Sequence, residues 1–215
     1  MRVLVVSDVA EEALYSPAVG QVAAGVEAVL SCGDLPFPYL EFILTMLGVP
    51  LLYVAGNHDR PTFTADGRVV TRPEGGTSID GRAVRLRTSG DRTLLVAGLG
   101  GSMSYSGSPN QYTEGEMVRR AARLAPRLVL NRLRHGRALD ILVTHAAPMG
   151  IHDGEDLCHR GFVALRRLIC AARPRYAFHG HVHPSYGRDQ SPVRIGETLV
   201  MSVWGHRVVD VEVAG

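Results

Sequence analysis

The chain has 215 residues, of which 46% are apolar and 20% charged, and its formal net charge is +2. These proportions are typical of a globular protein and exclude a disordered or collagen-like chain. All 23 basic residues are arginine, and the missing lysine excludes Schiff-base chemistry and a Walker A phosphate loop. The small net charge does not by itself imply a polyanionic partner.

Length and hydrophobic patterning predict one domain over residues 1–215. No apolar run approaches the roughly 20 residues needed to span a bilayer, so no membrane partner is expected. The N-terminus lacks the features of a secretory signal, and we therefore expect a cytoplasmic location. The cysteines, Cys32, Cys158 and Cys170, form no C-x-x-C pair and indicate neither a disulfide framework nor a thiolate zinc site.

The first half of the chain alternates strand-like and helix-like segments, as expected for an α/β fold. Apolar runs predict buried strands at 3–6, 29–32 and 51–55. Helical spacing predicts helices at 17–24 and 36–47, the second ending at Gly48. The segment 60–91 is rich in Gly, Arg and Thr, and it predicts a peripheral excursion with a hairpin around Asp80 and Gly81.

The second half continues the alternation. Strands are predicted at 93–97, 141–144 and 176–178, helices from Thr113 and over 162–172, and two or three antiparallel strands at 193–213. Thr113 and Glu116 form a capping box, and Pro126 should break or kink the helix that follows. The arginines of this helix favour a solvated face, although nucleic acid stays open as a partner. The glycines at 98–102 favour tight turns over a phosphate cradle.

Five predicted strands end in side chains that commonly bind metals: Asp8, Asp34, Asn57 with His58, His145, and His181 with His183. The carboxyl ends of strands in α/β sheets are where ligands bind, so we expect these groups to converge. Each has a simple structural explanation on its own, as a cap or a hydrogen-bonded core residue. Packing does not explain why only Asp, Asn and His occupy all five ends, and a functional site is therefore predicted.

Carboxylate, amide and imidazole groups without a thiolate suit Mn, Fe, Zn or a mixed pair of such ions better than Ca or a structural Zn site. A pair of ions about 3.5–4 Å apart is a common device for in-line attack on phosphorus. The predicted chemistry is therefore the hydrolysis of a phosphate ester by two metal ions.

Five motifs follow one another along the chain: Asp8, Gly33-Asp34, Gly56-Asn57-His58-Asp59, Thr144-His145 and Gly180-His181-Val182-His183. Together they resemble the calcineurin-like metallophosphoesterases, particularly the small bacterial and archaeal phosphoesterases, over nearly the whole chain. The resemblance implies a single α/β domain, a four-layer αββα sandwich of two mixed β-sheets flanked by helices. It also places two metal ions at one end of the sandwich.

The resemblance further implies two divalent metal ions (Mn, Fe or Zn) and the ligands Asp8, Asp34, Asn57, His145, His181 and His183. Asp34 would bridge the ions, Asp8 and His183 would complete the first site, and the other three ligands the second. His58 would stabilise the transition state or protonate the leaving oxygen, with Asp59 orienting its ring. The implied reaction is attack of metal-bound hydroxide on a small phosphate mono- or diester. His179 would lie outside the metal ligands, in an outer shell.

One motif departs from the family. Its opening pattern is Asp-x-His, but the third position here is Ala10. Three protein ligands and water still suffice for a catalytic metal, so we expect the first site to persist as the weaker, labile one. Spacing leaves the replacement ligand open among Glu11, Glu12 and the loop 152–156.

A non-catalytic metal-binding or scaffold protein on the same fold is the alternative function, since the family includes a retromer subunit of that kind. The loop 148–160 is dense in titratable groups, and either substrate or metal contact or a solvated surface would explain it. A nuclease would need a basic groove that the sequence does not reveal. A serine hydrolase is not supported, because no Gly-x-Ser-x-Gly motif occurs.

Overall fold

The computed structural model describes residues 1–63, 66–87, 93–183 and 190–212. The strands are β1 (Arg2–Ser7), β2 (Ala28–Ser31), β3 (Leu51–Tyr53), β4 (Thr62–Phe63), β5 (Val69–Val70), β6 (Thr77–Ser78), β7 (Arg82–Arg87), β8 (Thr93–Leu99), β9 (Ser102–Met103), β10 (Gln111–Tyr112), β11 (Ile141–Thr144), β12 (Tyr176–His179), β13 (Val193–Ile195), β14 (Thr198–Ser202) and β15 (Gly205–Asp210). The helices are α1 (Val19–Val22), α2 (Phe37–Leu47), α3 (Glu114–His135) and α4 (Val163–Ala172).

Two mixed sheets carry the fold. The first has the order β15-β1-β2-β3-β6, in which only β15 runs antiparallel to its neighbour. The second has the order β13-β14-β12-β11-β8-β7, with parallel inner strands and antiparallel strands at both edges. The carboxyl ends of the inner strands of each sheet therefore lie along one edge of that sheet.

The buried hydrophobic residues form three clusters, one between the two sheets and one between each sheet and its helices. Three clusters separate four layers of secondary structure, which confirms the predicted four-layer αββα sandwich. Alternate residues of the strands, such as Val5 and Val143, are fully buried between the sheets. The opposite face of the first sheet packs on α2, where Leu40 contributes to a cluster that includes Leu4. The outer face of the second sheet packs on α3 and α4. No described helix is both long and apolar enough to cross a membrane.

The predicted hairpin around Asp80 and Gly81 is wrong. The strands on its two sides belong to different sheets, because β6 pairs with β3 and β7 pairs with β8. Ile79 between them is fully buried in the core, so this part of the chain crosses from one sheet to the other. It is therefore not a peripheral excursion.

Helix α3 excludes one of the two effects expected of Pro126, the break. The capping box of Thr113 and Glu116 forms as predicted. Pro126 does not end the helix, which continues to His135 and is capped by Gly136. Proline removes only one backbone donor, and the buried face of α3, with Leu124 and Leu128, supports the helix on both sides of it.

The tail forms three strands, but they do not make one antiparallel unit. Strand β13 pairs antiparallel with β14, which itself runs parallel to β12 in the second sheet. Strand β15 instead pairs antiparallel with β1 in the first sheet. The last predicted residue of this tail, Val213, lies outside the described residues.

Candidate metal centre

The predicted ligand residues stand at the ends of β1, β2, β3, β11 and β12, and backbone hydrogen bonds join neighbouring ends within each sheet. The Asp8 N–H donates to the Gly33 carbonyl at 3.2 Å, and the Gly180 N–H donates to the His145 carbonyl at 3.0 Å. The second bond joins the ends of β11 and β12, which are neighbours in the second sheet. The parallel strand order thus brings together residues that are far apart in the sequence.

A buried network connects Asp34, Asn57 and His145. Nε2 of His145 lies 2.8 Å from Oδ1 of Asn57 and 3.2 Å from Oδ2 of Asp34. Its Nδ1 lies 2.8 Å from the carbonyl of Cys32, which can only accept, so Nδ1 carries a proton. Nε2 is then the nitrogen directed at the two oxygens, the orientation that metal-binding histidines adopt when the other nitrogen donates to a carbonyl.

The charges of this network are strongly coupled. Burial acts to raise the pKa of Asp34, but His145 and the backbone N–H of His58 outweigh it and lower the pKa to about 2. Burial acts to lower the pKa of His145, but Asp34 and Asp8 raise it to about 9. A carboxylate and an imidazole that stabilise each other's charge are also groups that a divalent cation would bind.

His181 completes a group of possible metal ligands. One ligand atom each from Asp34, His145 and His181 lies within 4.8 Å of the others. His181 is buried, and burial followed by the charge of His145 lowers its pKa to about 3, which keeps the ring neutral. Neutral imidazole with carboxylate and amide oxygens suits Mn, Fe or Zn, so the residues present fit such an ion.

Backbone strain marks the same residues. Asp8, Asp34 and His181 have φ angles of 64°, 57° and 70°, in the left-handed region that residues other than glycine rarely adopt. Such strain persists only where the surrounding structure holds it, and it is concentrated at functional sites. Three of the six predicted metal ligands thus carry an unfavourable backbone conformation.

Two glycines allow the ligand loops to approach one another. A Cβ atom at Gly56 would collide with the carboxylate of Asp34, and one at Gly180 would collide with Ser7 and Asp8. The glycines of the Gly-Asn-His-Asp and Gly-His-Val-His motifs are therefore required by packing at the site. Close backbone approach is one of the standard reasons for an essential glycine.

The residues of the first predicted metal site are less tightly gathered. Oδ2 of Asp8 accepts a hydrogen bond from the His181 N–H at 2.9 Å, and burial raises the pKa of this carboxyl. The ring of His183 lies 3.8 Å from that of Trp204. The ligand atoms of Asp34, His145 and His181 lie within 4.8 Å of one another. Within the described part of the chain, neither Asp8 nor His183 belongs to a group of three His, Cys, Asp or Glu residues that is as close.

Glu11 is one of the possible replacements for the missing histidine, but its carboxylate is engaged elsewhere. It pairs with Nδ1 of His206 at the start of β15. A Cβ atom at Gly205 would collide with the same carboxylate. Glu11 therefore helps to hold β15 beside β1, and the pairing could not be read from residues at opposite ends of the sequence.

His58 stands at the open side of the site. Its backbone N–H donates to Oδ1 of Asp34 at 2.7 Å, and its side chain is exposed. Oδ2 of Asp59 accepts from the Gly56 N–H at 2.8 Å, and burial raises the pKa of this carboxyl to about 6. Among the described contacts, Asp59 makes no hydrogen bond to the His58 ring, so the predicted orienting role is not supported by a direct bond.

Part of the loop 148–160 lies against the site. Nδ1 of the buried His152 lies 2.9 Å from Nε2 of His179, which is also buried. His159 pairs with Asp156, and its ring centroid is 5.2 Å from that of His181. The loop is therefore only partly a solvated surface.

Two aromatic residues at the site were missed by sequence reasoning. The hydroxyl of Tyr105 accepts from Nδ2 of Asn57 at 3.3 Å, which orients the amide so that its oxygen faces His145. Trp204 lies against His183 from the turn between β14 and β15. Neither occurs in a motif, and only the single tryptophan of the chain could have drawn attention.

A cleft of about 570 Å³ opens beside His58. Its lining combines apolar and polar side chains: Asp34, Leu35, Pro36, Phe37, His58, Asp59, Arg60, Pro61, Thr62 and Phe63. The guanidinium of Arg60 donates to the carbonyls of Asn57 and Asp59 at 2.9 and 3.0 Å. The cleft therefore adjoins both the acidic ligand Asp34 and the exposed imidazole.

Comparison with known proteins agrees with this picture. Residues 1–202 match the family described as the calcineurin-like phosphoesterase superfamily domain. Several solved structures share the fold. The protein TT1561 of Thermus thermophilus has a TM-score of 0.58 at 18% identity, covering 94% of this chain and 88% of that one. GAP50, the anchor in the inner membrane complex of Plasmodium, has a TM-score of 0.52 at 14% identity, covering 94% and 70%. No curated protein matches the chain.

Proposed function

The chain belongs to the calcineurin-like phosphoesterase superfamily, and from this premise we propose that it hydrolyses a small phosphate mono- or diester with the help of divalent metal ions. The observation that supports the proposal most is the buried group of Asp34, Asn57, His145 and His181. Four ligand-type side chains from four strand ends meet there, two of them on strained backbone. Packing alone does not require such an arrangement.

The metal ions would be held by two overlapping sets of residues that share Asp34. Asn57, His145 and His181 belong to the tighter set, and Asp8 and His183 to the looser one. When bound, Mn, Fe or Zn ions would supply charge stabilisation to the phosphoryl oxygens and acidify a water molecule. The looser geometry around Asp8 supports the idea that this position is the weaker one, as expected from Ala10.

His58 would act on the substrate. Its backbone is tied to a metal ligand, while its exposed ring faces the cleft where a leaving group could lie. An imidazole at this position can donate a proton to the leaving oxygen. Asp59 would have a structural role. Its carboxylate accepts a hydrogen bond from the Gly56 N–H and thereby fixes the loop that carries Asn57 and His58.

The experiment that tests this proposal compares His58→Ala with Asn57→Ala. His58→Ala should lower kcat for a chromogenic phosphate ester by about 10²–10⁴-fold while the metal content of the protein stays unchanged. Asn57→Ala should lower the metal content as well as the activity. Wild-type activity in His58→Ala, or loss of its metal, would contradict the assigned role.

A non-catalytic scaffold is the second candidate, and one observation favours it. The site lacks the imidazole at Ala10 while the fold around it is intact, and a structural neighbour with 14% identity is described as an anchor. The two functions differ in a simple assay. A scaffold would release no phosphate or alcohol from a panel of mono- and diesters in the presence of Mn²⁺, even when the protein binds the metal.

A further inference from the structure

A second group of metal-ligand side chains lies beside the first. Cys158, His159 and His181 each offer one ligand atom, and these atoms lie within 4.8 Å of one another. Cys158 and His159 come from the loop after β11, and His181 from the turn after β12. The sequence alone indicates no thiolate site, because the cysteines form no C-x-x-C pair, yet the fold supplies two histidines beside one of them.

Hydrogen bonds hold this group in place. Nε2 of His181 lies 2.8 Å from the carbonyl of Cys158, so this nitrogen donates and fixes the ring against the loop. Nδ1 of His159 lies 2.9 and 3.0 Å from the two carboxylate oxygens of Asp156. Metal-binding histidines usually pair with a carboxylate or a carbonyl in this way, because the partner fixes the tautomer and the orientation of the ring.

The loop backbone is also well fixed. The Gly154 N–H donates to the carbonyl of His159 at 2.7 Å, and the His159 N–H donates to Oδ1 of Asp156 at 3.0 Å. Ordering a loop costs conformational entropy, so a ligand set that is already ordered binds an ion at a lower cost. Cys158 is half-buried, which leaves it reachable by an ion from solvent.

We propose that Cys158, His159 and His181 form a binding site for a thiophilic divalent cation of the zinc class. One thiolate and two imidazoles are a softer donor set than the carboxylate, amide and imidazole of the neighbouring group, and they select for zinc-like ions over magnesium or calcium. His181 belongs to both groups, and its Nε2 already donates to Cys158. It has one nitrogen left for a metal, so the two groups compete for it.

The test is a titration of the chelator-treated, full-length protein with Co²⁺, a spectroscopic substitute for zinc. Coordination by Cys158 should produce an ultraviolet thiolate-to-cobalt charge-transfer band. Cys158→Ser should abolish this band, and His159→Ala should weaken it. Cys170→Ser is the matched control, because Cys170 is exposed on α4 and should leave the band at wild-type strength. Far-UV circular dichroism verifies that each variant is folded.

The proposal would be overturned if the wild type showed no charge-transfer band or if the band persisted in Cys158→Ser. Asn57→Ala should keep the band, since Asn57 belongs only to the neighbouring group, and a band lost in that folded variant would also count against a separate site. The readout is independent of phosphoesterase activity. A protein inactive on every ester would still show the band if the thiolate site exists.

Discussion

Oδ2 of Asp34 lies 3.2 Å from Nε2 of His145, and both side chains are shielded from solvent. In the absence of a metal ion the ring must carry two protons, because Nδ1 donates to a carbonyl and Nε2 faces only oxygens. The pair is therefore an ion pair that a divalent cation would replace by displacing the Nε2 proton. Metal binding at this histidine would therefore compete with its protonation.

This competition predicts the pH dependence of stability after chelation. The folded-state pKa of His145 is raised from 6.5 to about 9, so its stabilisation is complete below pH 6.5 and is lost as the pH rises through 9. The folded-state pKa of Asp34 is lowered from 3.8 to about 2, so the stabilisation from its charge is present above pH 3.8 and is lost as the pH falls through 2. Thermal unfolding in EDTA should show Tm falling between pH 6.5 and 9.

The matched variants are His145→Gln and His135→Gln. His145→Gln should flatten the alkaline decline in Tm, because the titrating group is gone. His135→Gln, at the end of α3 and away from the site, should keep the wild-type profile. A chelated wild type whose Tm is constant from pH 6.5 to 9 would argue against a charged His145.

Gly180→Ala should damage the site through packing. The added Cβ would collide with Ser7 and Asp8, and the turn that carries His181 would have to move. We expect a loss of about 1–3 kcal/mol in the free energy of unfolding and reduced metal binding. Gly115→Ala is the control, because nothing lies within 4 Å of its Cβ position in α3. It should be neutral or stabilising, and equal losses in both variants would refute the argument.

Features that depend on local sequence were predictable. The strand ends, the capping box of α3 and the Gly48 cap of α2 follow from residues close together in the chain. The convergence of Asp34, Asn57, His145 and His181 was foreseen because parallel strands place their carboxyl ends together, which is a property of the architecture and needs no knowledge of individual contacts.

Features that depend on distant partners were not predictable. Asp80 and Gly81 carry a correct turn signal, but strand pairing is decided by the sheets that receive β6 and β7. Likewise, Glu11 was one of several candidates that spacing left open as the replacement ligand, but its carboxylate pairs with His206. Local chemistry cannot reveal which of several acceptors a side chain will reach after folding.

Asp80 consequently becomes a structural residue with a testable contribution. Its Oδ1 accepts from the Gly100 N–H at 2.6 Å and from Arg120 at 2.5 Å, which ties the crossing segment to the residue that follows β8 and to α3. Asp80→Ala would leave both donors without this acceptor and should lower the free energy of unfolding by about 2–4 kcal/mol.

Urea denaturation measures the effect of Asp80→Ala, and Asp210→Ala is the control. Asp210 pairs with Arg2 at 3.0 Å on the surface, where its side chain is 73% exposed, so its removal should have little effect. If Asp80→Ala were as stable as Asp210→Ala, the cross-connection would not stabilise the fold.

Phe63 should help to bind the leaving group of an aryl phosphate ester. It lines the cleft next to His58, yet 75% of its surface is exposed, so removing its ring costs little packing. An aromatic contact contributes about 0.5–1.5 kcal/mol, so Phe63→Ala should raise KM by about 2–13-fold with kcat unchanged. Leu133→Ala, an equally exposed position on α3, should leave both constants unaltered.

Steady-state kinetics with aryl and alkyl esters tests the contact, since Phe63→Ala should raise KM only for the aryl ester. A fall in kcat with constant KM would instead assign Phe63 to the positioning of His58.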